Sequence, residues 1–543
     1  MADINMSNLC TQITQSHFGP LTSKVAFALL TRGRLTLLQL AKYTSMKART
    51  VRASVLVLIQ HNLAWHAQSD DGVEVIEFNP EECILRLRFG RFVWQAEELF
   101  GTKAAEIVSL ILDHGKLRPT EIMSQLCKGK AKEHQAYSQA LHKLVHASYL
   151  VPSTVLSHVS PRDKLMEYEA DEKRQLKNFP TAKELREARV KAEARLKREQ
   201  DEAMKIGLTK RKGPENNGQR SAKRKATDDL VVDADVYFRV NPTKFNIHIR
   251  NKLIVNAVRE RYNDAAAVVV RAILKASEAK QLSLADTRSD PISTANIIDH
   301  IAEEEDITSG LAYSSSKKPS TMSAIKEYLG VLSAADNPTP AGRASSFVSF
   351  GGSGKVSVEF EIVCRRLRRR VLEAIARERH GDEAVRLMRF LLDNGKMGGD
   401  QLAKAAMMTD MAVRPLLTNL SAESLVSIQE VPKGADRNPQ RTIYLWYVDL
   451  HKAYAVALGN LYKTLYNINM RRRAEEEDPM VKAVLQKCQR SDVQDDPTLL
   501  SRVERETLRT WEERRDKLLV LEMRVEEAVF ILRDLAVLGI EDD

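Results

Sequence analysis

A short pattern occurs three times in this chain: "LLTRGRLTLLQL" at 29–40, "LILDHGKLRPTEI" at 110–122 and "LLDNGKMGGDQL" at 391–402. Each copy reads two aliphatics, two variable residues, Gly, a basic residue, Leu or Met, three variable residues, Gln or Glu, and an aliphatic. A repeated unit of this kind restricts the fold to tandem copies of one small module. The residues around the first copy say which module. Val25, Leu29 and Leu30 share a helical face and Gly33 follows where a helix ends. "TLLQLAKYTS" gives a short second helix. A third, from Lys47, carries Val51, Val55, Leu58 and Ile59 at helical spacing. "AWHAQSDDGVEVIEF" then reads strand, Asp-Gly turn, strand. Three short helices followed by a hairpin make a winged helix, with Gly-basic-Leu as the bend between the first two helices.

The second copy reads the same way with a minimal wing. The third has a long wing, "SIQEVPKGADRNPQRTIYLWYV". A further unit lacks the Gly-basic-Leu bend. "NDAAAVVVRAILKASE" serves as its first helix and "TMSAIKEYLGVLSA" as its third. "SFVSFGGSGKVSVEFEI" gives a wing with Val356, Val358, Phe360 and Ile362 in alternation. The expected class is mainly α with small β-hairpin wings: four tandem winged-helix domains plus a C-terminal coiled coil. The expected segments are winged helix 1 at 1–80 and winged helix 2 at 81–160. A charged insertion, disordered or a solvated single helix, covers 161–228. Winged helix 3 spans 229–372 with a polar insertion at 279–322, winged helix 4 spans 373–450, and the helical coiled coil covers 451–543. In the last, Tyr454, Leu458, Leu461, Leu465 and Ile468, and later Leu518, Leu521, Val525, Ala528, Leu532 and Leu535, follow 3-4 spacing. That spacing leaves open whether the two segments pair with each other or with a partner.

Composition narrows the function. Aromatic residues make up 6% and charged residues 29% of 543, which favours helices with solvated faces. A net charge of +10 suits an acidic partner such as nucleic acid. Cys10, Cys83, Cys127, Cys364 and Cys488 form no C-x-x-C pair and suggest neither a disulfide framework nor zinc. No stretch reads as a secretory signal or a membrane span. Phosphate-loop, metalloprotease and nucleophile-elbow motifs are lacking, and "FGGSG" at 350–354 leads into a strand rather than a helix, so it reads as a turn. The expectation is a non-enzyme without cofactor or metal. Lys47, Arg49 and Arg52, at the start of a third helix, are candidates for DNA-backbone contact, as are Arg365, Arg366, Arg369 and Arg370 in "CRRLRRR". Third helices rich in Leu, Val and Ala lack the usual base readers, so such contact would carry no sequence specificity. Arg211, Lys212, Lys223, Arg224 and Lys225 have the spacing of a bipartite nuclear localisation signal.

Four stretches together resemble the third-largest subunit of RNA polymerase III. The wing from Ser427 to Lys433, followed by Pro439, Arg441, Thr442, Tyr444 and Leu445, is similar to a hallmark of that family. Asn241, Lys244, Phe245 and Arg250 in "RVNPTKFNIHIRN", the run "RFGRFVWQAEELFG", and the ending "EEAVFILRDL" add to it, in the family's order. The resemblance implies a relative of the transcription factor IIE large subunit, in a subcomplex with a second winged-helix subunit and a small acidic subunit. It implies docking on the polymerase core through the clamp of the largest subunit, in the nucleus, with a role in promoter recruitment, DNA opening and initiation at tRNA and 5S rRNA genes. The main rival is a free-standing winged-helix transcription or chromatin regulator, which would select a DNA sequence.

Overall fold

A computed structural model describes residues 3–68, 72–127, 131–176, 181–210, 230–302, 307–311, 320–334, 346–350, 354–432, 442–490, 492–493 and 499–538. The chain is mainly helical with small antiparallel strand pairs. It divides into two compact units, Met1–Asn246 and Ile247–Asp543.

The N-terminal unit begins with helices Ile4–Arg32, Leu37–Thr44 and Ala48–Gln60, then strands Ala64–Gln68 and Glu74–Phe78, paired antiparallel from Ala64↔Phe78 to Gln68↔Glu74. The first helix is kinked at Gly19, whose φ is 82°, just before Pro20. The repeated pattern has a physical reading. Gly33 closes the first helix at φ 81° and its N–H donates to the Leu29 carbonyl. Leu35 then bridges to Ile76 on the last strand, adding a third edge to the hairpin. Gln39 accepts from the Thr36 N–H at 3.0 Å while Thr36 accepts from Gln39, so the second helix starts with a reciprocal cap. Leu40, the final aliphatic, is fully buried.

The same order recurs from Thr102–His114 through Pro119–Leu126 and Ala131–His146. Gly115 has φ 81°, Leu117 bridges to Phe238, Glu121 accepts from the Arg118 N–H at 3.0 Å, and Ile122 is buried. Here the structure differs from the expected minimal wing. Strand Leu150–Pro152 pairs with Phe238–Val240, so the wing closes only after the long charged stretch. That stretch is an insertion within a wing, not a linker after a domain. Its described part holds helices Pro161–Arg174 and Ala182–Lys205, packed on each other, where disorder or one solvated helix was expected. The reason is a narrow seam: Ala188 and Ala192, one turn apart, are buried with Tyr168. Two alanines and one ring are easily overlooked among so many charges. Strands Leu208–Lys210 and Leu230–Val232 then pair antiparallel.

In the C-terminal unit, helices Asp264–Ser277, Thr294–Ile298 and Thr321–Leu332 combine with strands ordered Ile292–Ser293, Lys355–Val358, Val348–Phe350. The stretch 279–322, expected to be a polar insertion, supplies the first strand and the second helix of this module. Ile292, Ile297 and Ile307 from it are core residues. Val356 and Val358 are strand residues as the alternation suggested, but Phe360 and Ile362 are not. A helix, Phe360–Asn394, begins there. Phe360 is buried beneath the Arg250 guanidinium, 3.7 Å from the ring centroid, and Val363, Cys364 and Leu367 continue the buried face at helical spacing. Two positions of alternation cannot distinguish a strand's end from a helix's start.

That long helix is kinked at Gly381, φ 81°, and its second half starts the last repeat copy. Gly395 has φ 76°, Met397 pairs with Trp446, Gln401 accepts from the Gly398 N–H at 3.3 Å, and Leu402 is buried. Helices Gly399–Ala406 and Asp410–Ala422 and strands Ser427–Pro432 and Thr442–Tyr447 complete this module. Its core includes Leu387, Met388, Leu391, Leu402, Val413, Leu417 and Leu420. Burying one such side chain stabilises the fold by about 1.5–3 kcal/mol. Helices Leu450–Glu477 and Arg502–Arg533 follow, packed against one another with opposite polarity: Arg472 pairs with Glu522 at 2.7 Å and Glu475 with Arg514 at 3.1 Å.

Candidate nucleic-acid interface

The first module presents its third helix, Ala48–Gln60, with Val51, Ser54, Val55 and Leu58 inward. Lys47 caps its start, and Lys47, Arg49 and Arg52 are exposed. None of these three makes an ion pair with another described residue. The helix N-terminus adds partial positive charge to theirs. The first two helices of the same module form a groove lined by Lys24, Phe27, Thr31, Arg32, Tyr43 and Thr44, in which the Arg32 guanidinium stacks 3.9 Å from the Tyr43 ring centroid. The sequence reading missed this groove. Its residues come from two helices that meet only in space.

The other arginine group is differently placed. Arg365, Arg366, Arg369 and Arg370 lie in the first half of the Phe360–Asn394 helix. Arg365 pairs with Glu361 at 3.2 Å. The Arg366 guanidinium lies 4.6 Å from the Phe347 ring centroid. Arg369 bridges Glu373 at 3.2 Å and Asp393 at 3.0 Å, and Arg370 pairs with Glu260. Each thus has a partner within its own unit. Glu373 also receives a forked pair of hydrogen bonds from Arg389, at 2.7 and 3.0 Å, which holds the Arg389 guanidinium above its ordinary pKa.

The basic residue of each repeat copy engages a neighbour in its own unit, and only Lys116 is buried. Arg34 pairs with Glu77 on its own wing at 2.8 Å and with Asp163 at 2.7 Å. Lys116 donates to the Ile59 carbonyl at 3.0 Å and lies 2.9 Å from His158 Nε2. Burial, reinforced by Arg239, brings the Lys116 ammonium down to about 8. Lys396 lies over the Tyr447 ring.

Of the residues expected in a coiled-coil seam, Leu532 and Leu535 are buried, and Leu518 and Val525 half-buried. Leu521 is 45% exposed and does not pack in the seam between these two helices; of the two arrangements the spacing allows, only pairing with a partner would bury it. The face of Arg502–Arg533 that turns inward carries Glu522 and Glu526 instead, with Arg472 taking the Glu522 carboxylate, so an ionic position sits where apolar spacing pointed one residue away. Arg211, Lys212, Lys223, Arg224 and Lys225 lie outside the described residues. Among the described residues no helix is long and apolar enough to cross a membrane.

Three family models match the chain in order. The helix-turn-helix domain of RNA polymerase III subunit RPC82 matches 8–68, the RNA polymerase III subunit RPC82 model matches 139–340, and the POLR3C C-terminal winged-helix domain matches 372–448. The first and third coincide with modules described above. Curated relatives align nearly end to end. The DNA-directed RNA polymerase III subunit RPC3 of Bos taurus is 25% identical over 96% of this chain and 97% of its own length. That of Rattus norvegicus is 26% identical over the same shares, and that of Aspergillus niger 25% identical over 97% and 99%. With a helix-turn-helix module matched at 8–68, a winged-helix module at 372–448, one model of the same family between them and relatives aligned nearly end to end, the chain belongs to the RPC82/RPC3 family of RNA polymerase III subunits.

Proposed function

We propose that this chain is a non-catalytic subunit of RNA polymerase III. It acts in promoter recruitment, DNA opening and initiation on tRNA and 5S rRNA genes. The end-to-end family match carries the reading. In it, four winged-helix domains and the C-terminal helical pair serve as docking surfaces for the polymerase clamp, a second winged-helix subunit and a small acidic subunit. The first module touches DNA phosphates through Lys47, Arg49 and Arg52 without reading sequence. The exposure of these three cations, without an ion-pair partner among the described residues, supports that assignment. The helix Asp410–Ala422 of the last module offers a different surface, opening with Asp410 and with Met411 89% exposed, which suits protein rather than phosphate.

Affinity purification of the tagged chain from its own cells tests the reading. The polymerase III core should copurify near equal stoichiometry with two specific partner subunits. Recovery without polymerase, with selection of a defined DNA sequence, overturns it. The protein's place is the nucleus, and the basic pair of clusters at 211–225 is its import signal. Replacing Lys223, Arg224 and Lys225 with Ala should leave a reporter fusion cytoplasmic; an unchanged nuclear signal removes that role.

A further inference from the structure

Within the N-terminal unit, the end of the Ala48–Gln60 helix meets the Gly115 turn of the second module. The contact is close. Gln60 Nε2 donates to the carbonyls of His114 and Lys116 at 3.1 and 2.9 Å, and a Cβ on Gly115 would run into the Gln60 carbonyl. Beside it lies a cavity of about 40 Å³, lined by His61, Asn62, Glu82, Arg86, Gly115 and Arg239 among others.

The lining holds two guanidiniums, Arg86 and Arg239, together with the Glu82 carboxylate and the Asn62 amide, whose buried Oδ1 meets no donor among the described residues. Arg86 is 8% exposed, and its guanidinium sits between the rings of Phe18 and Phe89, at 4.6 and 5.0 Å from their centroids. Among the described residues its Nε–H meets no acceptor, nor does that of Arg239. The other end of Arg239 lies 3.8 Å from a Glu82 oxygen. Among the described residues, no carboxylate lies within 4 Å of Arg86. A guanidinium so far removed from water is expensive without a counter-charge. The titratable groups facing the seam repeat the message. Burial pulls His61 down to about 4, and Arg86, His114, His17 and Lys116 push the same way. The carboxylates acting here are Glu82 on Arg239 and Asp113 on Arg86. The volume admits a particle of water size and excludes a phosphate or sulfate with its oxygens.

We infer that this cavity binds a single halide ion, chloride under cellular conditions, held between the Nε–H groups of Arg86 and Arg239. The ion ties the end of the first module's third helix to the turn and closing strand of the second. It makes the seam between the two modules sensitive to anion identity.

The test uses the intact protein in the assembly with which it purifies. Hydrogen exchange of peptides covering 57–66 and 111–118 is followed in sodium chloride, sodium bromide and sodium gluconate at one ionic strength. Chloride and bromide should slow exchange roughly tenfold relative to gluconate, as a ligand that binds only the closed form does. Asn62→Asp places a carboxylate beside the same donors. Aspartate tolerates the left-handed backbone at this position, φ 57°. This variant should keep the protection and lose its dependence on halide. Equal exchange in chloride and gluconate would mean that water fills the site, and the inference fails. A halide effect that persists unchanged in Asn62→Asp fails it too, because the ion would then act elsewhere.

Discussion

Two basic helical stretches look alike in sequence and differ in the structure. At the start of Ala48–Gln60, Lys47, Arg49 and Arg52 stand exposed without an ion-pair partner among the described residues. In the first half of Phe360–Asn394, Arg365, Arg366, Arg369 and Arg370 each engage a carboxylate or a ring of their own unit. The first set is free to meet an external anion. The second has internal counter-charges and acts as scaffold. Counting arginines does not separate these roles; the location of the carboxylates does.

The largest effect should come from breaking the scaffold. Glu373 has a side chain only 12% exposed and serves both Arg369 and Arg389. Glu373→Ala should destabilise the C-terminal unit by about 1–2 kcal/mol, seen as a lower denaturation midpoint, because two partly exposed guanidiniums lose their shared acceptor while Arg369 keeps Asp393. DNA affinity should not change its salt dependence. A stable variant with an altered salt slope would erase the distinction between the two stretches.

Next in size, Lys47→Glu, Arg49→Glu and Arg52→Glu combined should weaken DNA binding. The slope of log affinity against log salt should fall by about 2 to 3 if each cation neutralises one phosphate. Stability should move by no more than roughly 0.5 kcal/mol. An unchanged slope would assign the three to protein contacts or to solvent.

Protons sharpen the contrast between the units. His61 and His158 are both held near 4. Burial is the main cause; Arg86, His114, His17 and Lys116 add to it at His61, and Lys116, His66 and Arg239 at His158. Both stay neutral in the fold, while in the unfolded chain they take up a proton below about 6.5. Their contribution is therefore complete above pH 6.5 and lost progressively toward pH 4. Lys116, lowered to about 8, is charged throughout that window and adds no slope. Stability of the N-terminal unit measured against pH should decline over that interval, and His158→Gln should flatten the decline. No change in slope would mean that His158 is solvated in the folded protein.

The smallest effect belongs to Arg365→Ala. Its pair with Glu361 is exposed on both sides, and such pairs contribute within about 0.5 kcal/mol. A thermal shift beyond that would give this arginine a part in the scaffold.

The repeat was legible because each of its positions does local work. Gly33, Gly115 and Gly395 have positive φ at a helix end, where glycine carries no steric penalty. Gln39, Glu121 and Gln401 accept from the backbone N–H three residues earlier, a cap that any chain of this spelling can make. The exposed cations at 47, 49 and 52 were legible for the same reason: a helical face is a matter of spacing. The wing closed by Leu150–Pro152 and Phe238–Val240 was not, because strand pairing across so long an insertion leaves no periodic trace. Nor was the core role of Ile292, Ile297 and Ile307, spread thinly through a polar stretch.

The sequence by itself thus determined the module, its order of elements and the family, since caps, turns and periodic faces are set by residues a few positions apart. Tertiary structure alone decided which cations are paired, where the charged insertion belongs and what surrounds Arg86. Those outcomes depend on which distant side chains share a low-dielectric space, and the energy of a charge is fixed by its nearest counter-charges and its distance from water, not by its neighbours along the chain.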